Sequence, residues 1–447
     1  MQTKPRGLAR AFGRFLVNLS YEDLPAGVSE GAKSRMLDAL SVSFNGSTLP
    51  HGQVALRSIR GSKGTCTILG EKTKAAAADA AFVNAVLGHS PLHEDVGGGG
   101  HPGTYIIPVA LAVGEGRGGA GQDLLTAVIT GYEAAARLTQ AVPPEMMTRG
   151  FRAVPALGVF GAAAAAGKIM RLTEEPMAAA LDLAANLACG LYQGFCEGTM
   201  EGYFHAGFAA RNGILAADLA EAGADTSCLT LEGPHGFFQT FGGAQGNPEA
   251  LLGAGDGFGI RRVLRKPFPA CALNQETMLL AASLGRKSLS AGEIEKVIIR
   301  RPLAGLNSFT APGVRSDPPY TNMLQAQMAA KFTVVASLLG RPVGDLGYYR
   351  DSYGDPEVAA VARRTELVAE DRQGGAVEVQ LKGGQKVEIS RDAAGELRPS
   401  MEAMREKFQL LASAALGSRT KEVLAAIMDL DRVRNVCDLT VLLSGGV

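Results

Sequence analysis

The stretch from Asn84 to Pro108, NAVLGHSPLHEDVGGGGHPGTYIIP, constrains the fold more than any other part of this chain. Gly97 to Gly100 are four consecutive glycines, and each forfeits backbone entropy on ordering, so no regular element runs through them cheaply. Backbone of this kind bends sharply or approaches a ligand closely. The run ends at His101-Pro102, and the apolar residues from Ile106 to Val113, with Pro108 near their start, read as a new helix. Chain that turns on glycines and then enters a helix presents free N–H groups and a positive dipole end to an anion. The same stretch carries His89, His93 and His101, with the adjacent acids Glu94 and Asp95. The expectation is a loop that lines a site for a small anionic substrate.

A chain of 447 residues forms two or three structural units and buries a large core without metal or disulfide support. Lys plus Arg and Asp plus Glu both total 44, so no bulk field draws nucleic acid or an acidic membrane. Cys66, Cys189, Cys196, Cys228, Cys271 and Cys437 form no C-x-x-C and no dense pairing pattern, which fits reduced thiols in a cytoplasmic protein. The abundance of Ala and Gly and the absence of Trp suggest helices that cross closely on small residues. The longest apolar tract, Ala153 to Gly167, is too short and too rich in Ala and Gly to span a bilayer. Met1 to Ser20 carries Lys4, Arg6, Arg10 and Arg14 and no acid, as transit peptides do. The preferred reading is an amphipathic first helix with Leu8, Phe12, Leu16 and Leu19 on one face.

Residues 8 to 250 read almost wholly as helices. One is capped by Ser29 and ends at Asn45-Gly46; others cover Lys72–Val86, Ile106–Glu115, Gln122–Thr139 and Val159–Met170. Thr173-Glu-Glu-Pro176 starts a further helix that ends near Gly190, and Ala209–Glu221 is helical. LEGPHGFFQTF, residues 231–241, reads as a loop packing aromatic rings. Near Arg265 the texture changes. Glu293–Arg300 and Thr365–Glu370 alternate like strands, and Val377 to Leu381 and Val387 to Ile389 flank Lys382-Gly383-Gly384-Gln385 as a hairpin. Glu276–Leu284 and Met323–Leu339 are helical, as is the chain from Met401 to Leu430. The fold class is mainly α with an α+β part. A large helical domain (1–265) carries a smaller α+β lid domain (266–400), and 401–447 rejoins the first.

Several signatures fail on inspection. GAAAAAGKI (161–169) has five residues between its glycines and no Ser or Thr after Lys168, so it reads as a packed helix rather than a phosphate loop. GHSPL (88–92) lacks the second glycine of a nucleophile elbow. No H-x-x-x-H or H-E-x-x-H spacing holds His93, Glu94, Asp95 and His101 on one helix face, which argues against a metal site. His101 is the leading acid–base candidate, because glycines before it and a helix after it set the imidazole against a bound carboxylate. The duller reading is a loop histidine bonded to a carbonyl. In RKPFPACALNQ (265–275), Pro267 and Pro269 hold an extended backbone. Lys266 there is either a solvated linker cation or a base whose neutral form is favoured by desolvation and Arg265. Cys271 reads as a packing thiol. Arg152, before a helix, and Arg211, near the start of another, are candidates to hold substrate carboxylates, with His205 beside them.

Long ordered motifs resemble one family. LARAFGRFLVNLSYEDLP, AKSRMLDALSVSFNG, NAVLGHS, HPGTYIIPVALAVGE, GVFGAAAAAGK, LEGPHGFF, KPFPAC and QAQMAAKF together resemble the MmgE/PrpD family of 2-methylcitrate dehydratase, cis-aconitate decarboxylase and iminodisuccinate epimerase. The resemblance implies a helical domain with an α+β lid, an active site between them, a homodimer and no cofactor. It carries over His101 and Lys266, read as the catalytic pair, together with His205. Substrate-binding roles fall to Arg152, His205, Arg211, His93, Glu94, Asp95 and Gln275. The chain also departs from the dehydratase and decarboxylase branch. That branch's loop reads His-x-x-Asp-Phe-Asp-Asp-Thr, and here the first Asp is Leu92 and the Thr is Val96. The branch's Gly-Phe-His is Gly150-Phe151-Arg152, and a family lysine falls on Gly202. With those acid–base groups gone, the least demanding chemistry is proton removal and return beside a carboxylate. The expectation is a cofactor-independent epimerase of a small dicarboxylate such as iminodisuccinate. The alternatives are a hydro-lyase or decarboxylase of a small polycarboxylate, and a non-catalytic carboxylate-binding protein.

Overall fold

A computed structural model describes residues 7–253, 257–285, 289–304, 309–391 and 393–445; Lys4 and Arg6 of the basic N-terminal run lie outside them. The chain is mainly helical with one small mixed sheet, as its residue pattern implies. The first helix, Leu8–Val17, buries Phe12 and Leu16 and turns Arg10 and Arg14 outward to Glu174. The helices Gly121–Ala141, Ala153–Ile169 and Glu201–Glu221 then cross at small residues. A Cβ added at Gly131 would stand 2.9 Å from the Gly161 carbonyl oxygen, and one added at Gly161 would stand 2.9 Å from that of Gly131. Close approach of this kind lets the backbones themselves pack, which is why a run of five alanines can be fully buried. No helix among the described residues is long and apolar enough to cross a membrane.

Several elements differ from the sequence expectation. Residues 72–75 are not helical. Lys74–Ala75 (β2) pairs antiparallel with Cys66–Thr67 (β1), and the helix runs from Ala77 to His89. Cross-strand pairing here overrides alanine's helix propensity. Ser29 lies inside its helix, whose cap is the left-handed Gly27. Glu201–Glu221 starts eight residues before the expected boundary, so Arg211 sits in mid-helix. The 231–241 segment does pack its rings, with Phe160 against Phe237 and Phe237 against Phe241, but it closes in one wide helical turn at Phe238–Gly242.

Beyond Arg265 the second unit forms around a four-stranded sheet. Ile294–Pro302 (β3) lies parallel to Thr365–Glu370 (β4) and antiparallel to Gly375–Leu381 (β5), which forms a hairpin with Lys386–Arg391 (β6). The hairpin turn uses positive φ at Gly383 and Gly384. Val297, Ile299, Val377 and Val379 point into a core shared with the helices Gln275–Gly285 and Ala330–Leu338. The expected helix Met323–Leu339 is broken at Ala329, which is extended. The break turns the Gln327 and Met328 carbonyls toward the 267–275 segment, where they accept from Cys271 N (2.9 Å) and Asn274 Nδ2 (3.0 Å). From Met401 the chain is again helical, interrupted at Gly417 (φ 56°), and Met404, Phe408 and Ala412 join the core of the first unit.

Candidate active site

The glycine run does what its composition demands. Gly97 and Gly100 exchange backbone hydrogen bonds of 3.0 Å, and Gly99 and Gly100 take positive φ. A Cβ on Gly98 would meet the backbone nitrogen of Ala136 at 2.8 Å. Val96 and Leu264 pair as an isolated antiparallel bridge, which lays the Lys266 segment beside the loop. The anion at the start of the Gly103–Arg117 helix is the chain's own. Asp95 Oδ1 accepts from Gly103 N at 3.0 Å and its Oδ2 accepts from the Tyr132 hydroxyl at 2.6 Å. Asp95 therefore anchors the helix rather than waiting for substrate. Burial, then the neighbouring Asp38, push its carboxyl up to about 6.

Glu94 is the centre of the cluster. It is 1% exposed, and its Oε1 accepts from Lys266 Nζ (3.1 Å) and His89 Nδ1 (3.0 Å), with His101 Nδ1 at 3.3 Å. Burial alone would push this carboxyl up, but Lys266, His101 and His89 together hold it well below the usual carboxylate range. Lys266 also donates to the Leu92 carbonyl at 2.8 Å. Leu92 adopts φ 55°, a left-handed conformation rare outside glycine, and this aims its carbonyl at the ammonium. The ion-pair partner of Lys266 is the buried Glu94, 3.1 Å away.

Hydrogen bonding sets each histidine tautomer. Arg152 Nη2, always a donor, lies 2.9 Å from His89 Nε2, so His89 carries its proton on Nδ1 and gives it to Glu94. Arg152 Nη1 donates to the Gly202 carbonyl (2.9 Å) and lies 3.3 Å from His205 Nδ1, leaving Nε2–H as the outward donor of His205. His101 Nδ1 lies 2.7 Å from the Asp95 carbonyl, so Nε2 is its basic nitrogen. Burial, then Arg152, lower His89 to about 4 and His205 to about 3, while burial and Lys266 hold His101 well below the ordinary imidazole value. All three rings are neutral near pH 7. The Arg152 guanidinium lies 3.8 Å over the Phe195 ring and is buried. Burial lowers it to about 10, still fully charged.

The structure thus gathers His101, Lys266, Glu94, Arg152 and His205, together with His89 and Phe195, which sequence reasoning did not assign to the site. His89 lay in plain view in the loop; Phe195 had no sequence signal. Other expected binding residues are committed elsewhere. All of the Gln275 amide is spent on the backbone of Phe268, Ala270 and Cys271, where it staples the Lys266 loop. Arg211 is 55% exposed and paired with Asp79 at 3.3 Å, outside the cluster. His93 is buried beside Lys407 and Lys266, its carbonyl accepting from Lys407 Nζ at 2.6 Å. Gln327 Nε2 ties the two halves together by donating to the carbonyls of Pro91 (3.0 Å) and Pro269 (2.8 Å). Among the described residues no three His, Cys, Asp or Glu side chains are placed to hold a metal ion.

Residues 10–249 match the model of the MmgE/PrpD N-terminal domain. A cis-aconitate decarboxylase of Aspergillus terreus is 24% identical, covering 96% of this chain and 94% of its own length. The human cis-aconitate decarboxylase is 26% identical over 98% and 95%. The motifs that build the glycine loop, the Arg152 helix and the His205 helix all fall inside the matched region, and on that footing the chain belongs to the MmgE/PrpD family.

Proposed function

We propose that this chain is a cofactor-independent lyase of a small polycarboxylate, with decarboxylation of a cis-aconitate-like substrate as its leading reaction. The observation that carries the reading is that His101 and Lys266, from different units, meet on one buried carboxylate, Glu94. The curated relatives named as decarboxylases span nearly the whole chain, which favours this outcome over epimerisation. In decarboxylation the carbon–carbon bond breaks, carbon dioxide leaves and the electron pair remains on carbon beside a second carboxylate. Arg152 offsets the charge that builds there. The Lys266 ammonium gives the proton that quenches the carbanion, and Glu94 stabilises its recharging. In a dehydration the first step is instead removal of a proton by the basic Nε2 of His101.

Epimerisation of a dicarboxylate remains the second reading, supported by one observation. Asp95 and Gln275 are spent on structure, so His101 and Lys266 stand nearly alone as proton carriers. Incubation with cis-aconitate, 2-methylcitrate and iminodisuccinate in deuterated water, followed by NMR, separates the outcomes. Loss of carbon dioxide with deuterium gained at carbon, or loss of water, supports the lyase. Inverted configuration with exchange and no loss supports the epimerase, and binding without exchange defeats both. His101→Ala, and Lys266→Arg, which keeps the ion pair but holds its proton, should each lower turnover about a hundredfold or more. Full activity in both variants rejects the assignment.

A further inference from the structure

Two buried polar atoms, the Tyr203 hydroxyl and Glu94 Oε2, go unpaired in this cluster. Tyr203 is 2% exposed, and its hydroxyl has no hydrogen-bond partner among the described residues. Glu94 Oε2 has none either, since Oε1 takes every donor that reaches the carboxylate. Buried polar groups are almost always paired, because an orphan keeps the cost of leaving water and gains nothing in return. Tyr203 follows Gly202, whose carbonyl holds Arg152, and precedes His205 by two residues. His51, from the Pro50–Ser58 helix, stacks on the Tyr203 ring with centroids 3.8 Å apart and planes 28° apart, and its Nδ1 is also unpartnered. Burial, then Glu94, push the phenol up while Arg152 pulls it down, so the hydroxyl stands in the field of both and keeps its proton. Phenol and carboxylate do not satisfy each other. Each is left for a third party.

We infer that Tyr203 is a further substrate-binding residue, its hydroxyl donating to a carboxylate of the bound polycarboxylate, and that His51 is a positioning residue which holds the phenol ring. The assignment rests on the polycarboxylate reading above. An ionised acceptor suits the site because the phenol keeps its proton to donate, and bonds to carboxylate are roughly twice as strong as those between neutral groups. Arg152, whose charge reaches the phenol, supplies the matching positive charge. Glu94 Oε2 can accept only from a donor, which a substrate hydroxyl or an ordered water provides.

The test uses tricarballylate, an inert tricarboxylate, with affinity read by isothermal titration calorimetry and stability by the Tm of the ligand-free chain. Tyr203→Phe should weaken tricarballylate about tenfold or more, the worth of one hydrogen bond to a charged group. Its ligand-free Tm should stay level or rise, because the variant removes an unpaired buried hydroxyl. Unchanged affinity, or a lowered Tm, overturns the assignment; the latter would mean that the hydroxyl serves the fold. His51→Phe keeps the stack and should restore the affinity that His51→Ala loses, whereas equal loss in both overturns the positioning role. A wild-type chain that binds no tricarballylate overturns the polycarboxylate reading and this assignment with it. Wild-type binding that Tyr203→Phe leaves untouched overturns the assignment alone.

Discussion

Glu94 and Lys266 are each 1% exposed and 3.1 Å apart, which makes their pairing the most informative perturbation. With an effective dielectric near 20, two unit charges at that distance attract by about 5 kcal/mol. Desolvation of both ions takes back most of this, so the pair as a whole contributes little net stability. Removing one partner is another matter, because it strands the other charge where water cannot reach it, at a cost of about 3–5 kcal/mol. Glu94→Gln and Lys266→Met should therefore each destabilise strongly, with Gln at the lower end because its amide still accepts from His89. The double variant carries no stranded charge. Its loss should fall short of the sum of the singles by about 2–3 kcal/mol, a coupling of the size seen between buried neighbours. Urea unfolding followed by far-UV circular dichroism reads all four chains of the cycle, since the sequence has no Trp to report by fluorescence. Additivity within about 0.5 kcal/mol would refute the reasoning, as two charges that close cannot be energetically independent.

Acid should weaken the fold through its histidines. His51 and His89 are lowered to about 4 and His205 to about 3, chiefly by burial. Each depressed folded value means fewer bound protons than in the unfolded chain, so its contribution is whole above about pH 6.5 and is lost as pH falls toward 4, by up to ~1.4 kcal/mol per unit per histidine. Asp95 and Asp182, raised to about 6, work the other way, but the histidines outnumber them. Urea midpoints that stay level from pH 6.5 to 5 would contradict this. Asp95→Asn keeps an acceptor for Gly103 N and should leave turnover nearly intact, whereas Asp95→Ala strands the Tyr132 hydroxyl and loses the helix anchor, at about 1–2 kcal/mol or more. Loss of turnover in Asp95→Asn comparable to that in His101→Ala would return Asp95 to the chemistry. Arg211→Ala should change neither turnover nor, beyond about 0.5 kcal/mol, stability, because its ion pair with Asp79 is open to solvent on the arginine side. A substrate-dependent rise in KM would show that it binds substrate after all.

The fold was legible where local pattern and tertiary packing agree. Alternation in Ile294–Pro302 and the glycine turn between Leu381 and Lys386 specify strand and hairpin without help from the rest of the chain. The illegible elements are those whose partners lie far away. Lys74–Ala75 looks helical because alanine follows, yet the strand is set by Cys66–Thr67 eight residues earlier. Ala329 has every local reason to be helical. It is extended because Gln327 and Met328 must offer their carbonyls to Cys271 and Asn274, some 55 residues upstream. Short helices such as Pro50–Ser58 and Cys437–Leu443 carry too few turns for periodicity to declare them.

Glu94 and Asp95 show why site chemistry is harder to read than fold. The two carboxylates are adjacent in sequence, both nearly fully buried, and equal as candidates by residue type. Their side chains leave the backbone in different directions and meet opposite surroundings. Asp95 meets a helix N-terminus, a phenol and the charge of Asp38, and its carboxyl rises toward neutral pH. Glu94 meets an ammonium and two imidazoles, and stays ionised. The cations that decide this, Lys266 and the Arg152 that orients His89, come from 172 and 58 residues away. A motif can therefore reveal that a loop carries acids without revealing which one reacts. Here that choice is made by the Lys266 ion pair, while Arg152 and the Asp95 carbonyl fix the tautomers of the His89 and His101 rings that pack beside the same carboxylate.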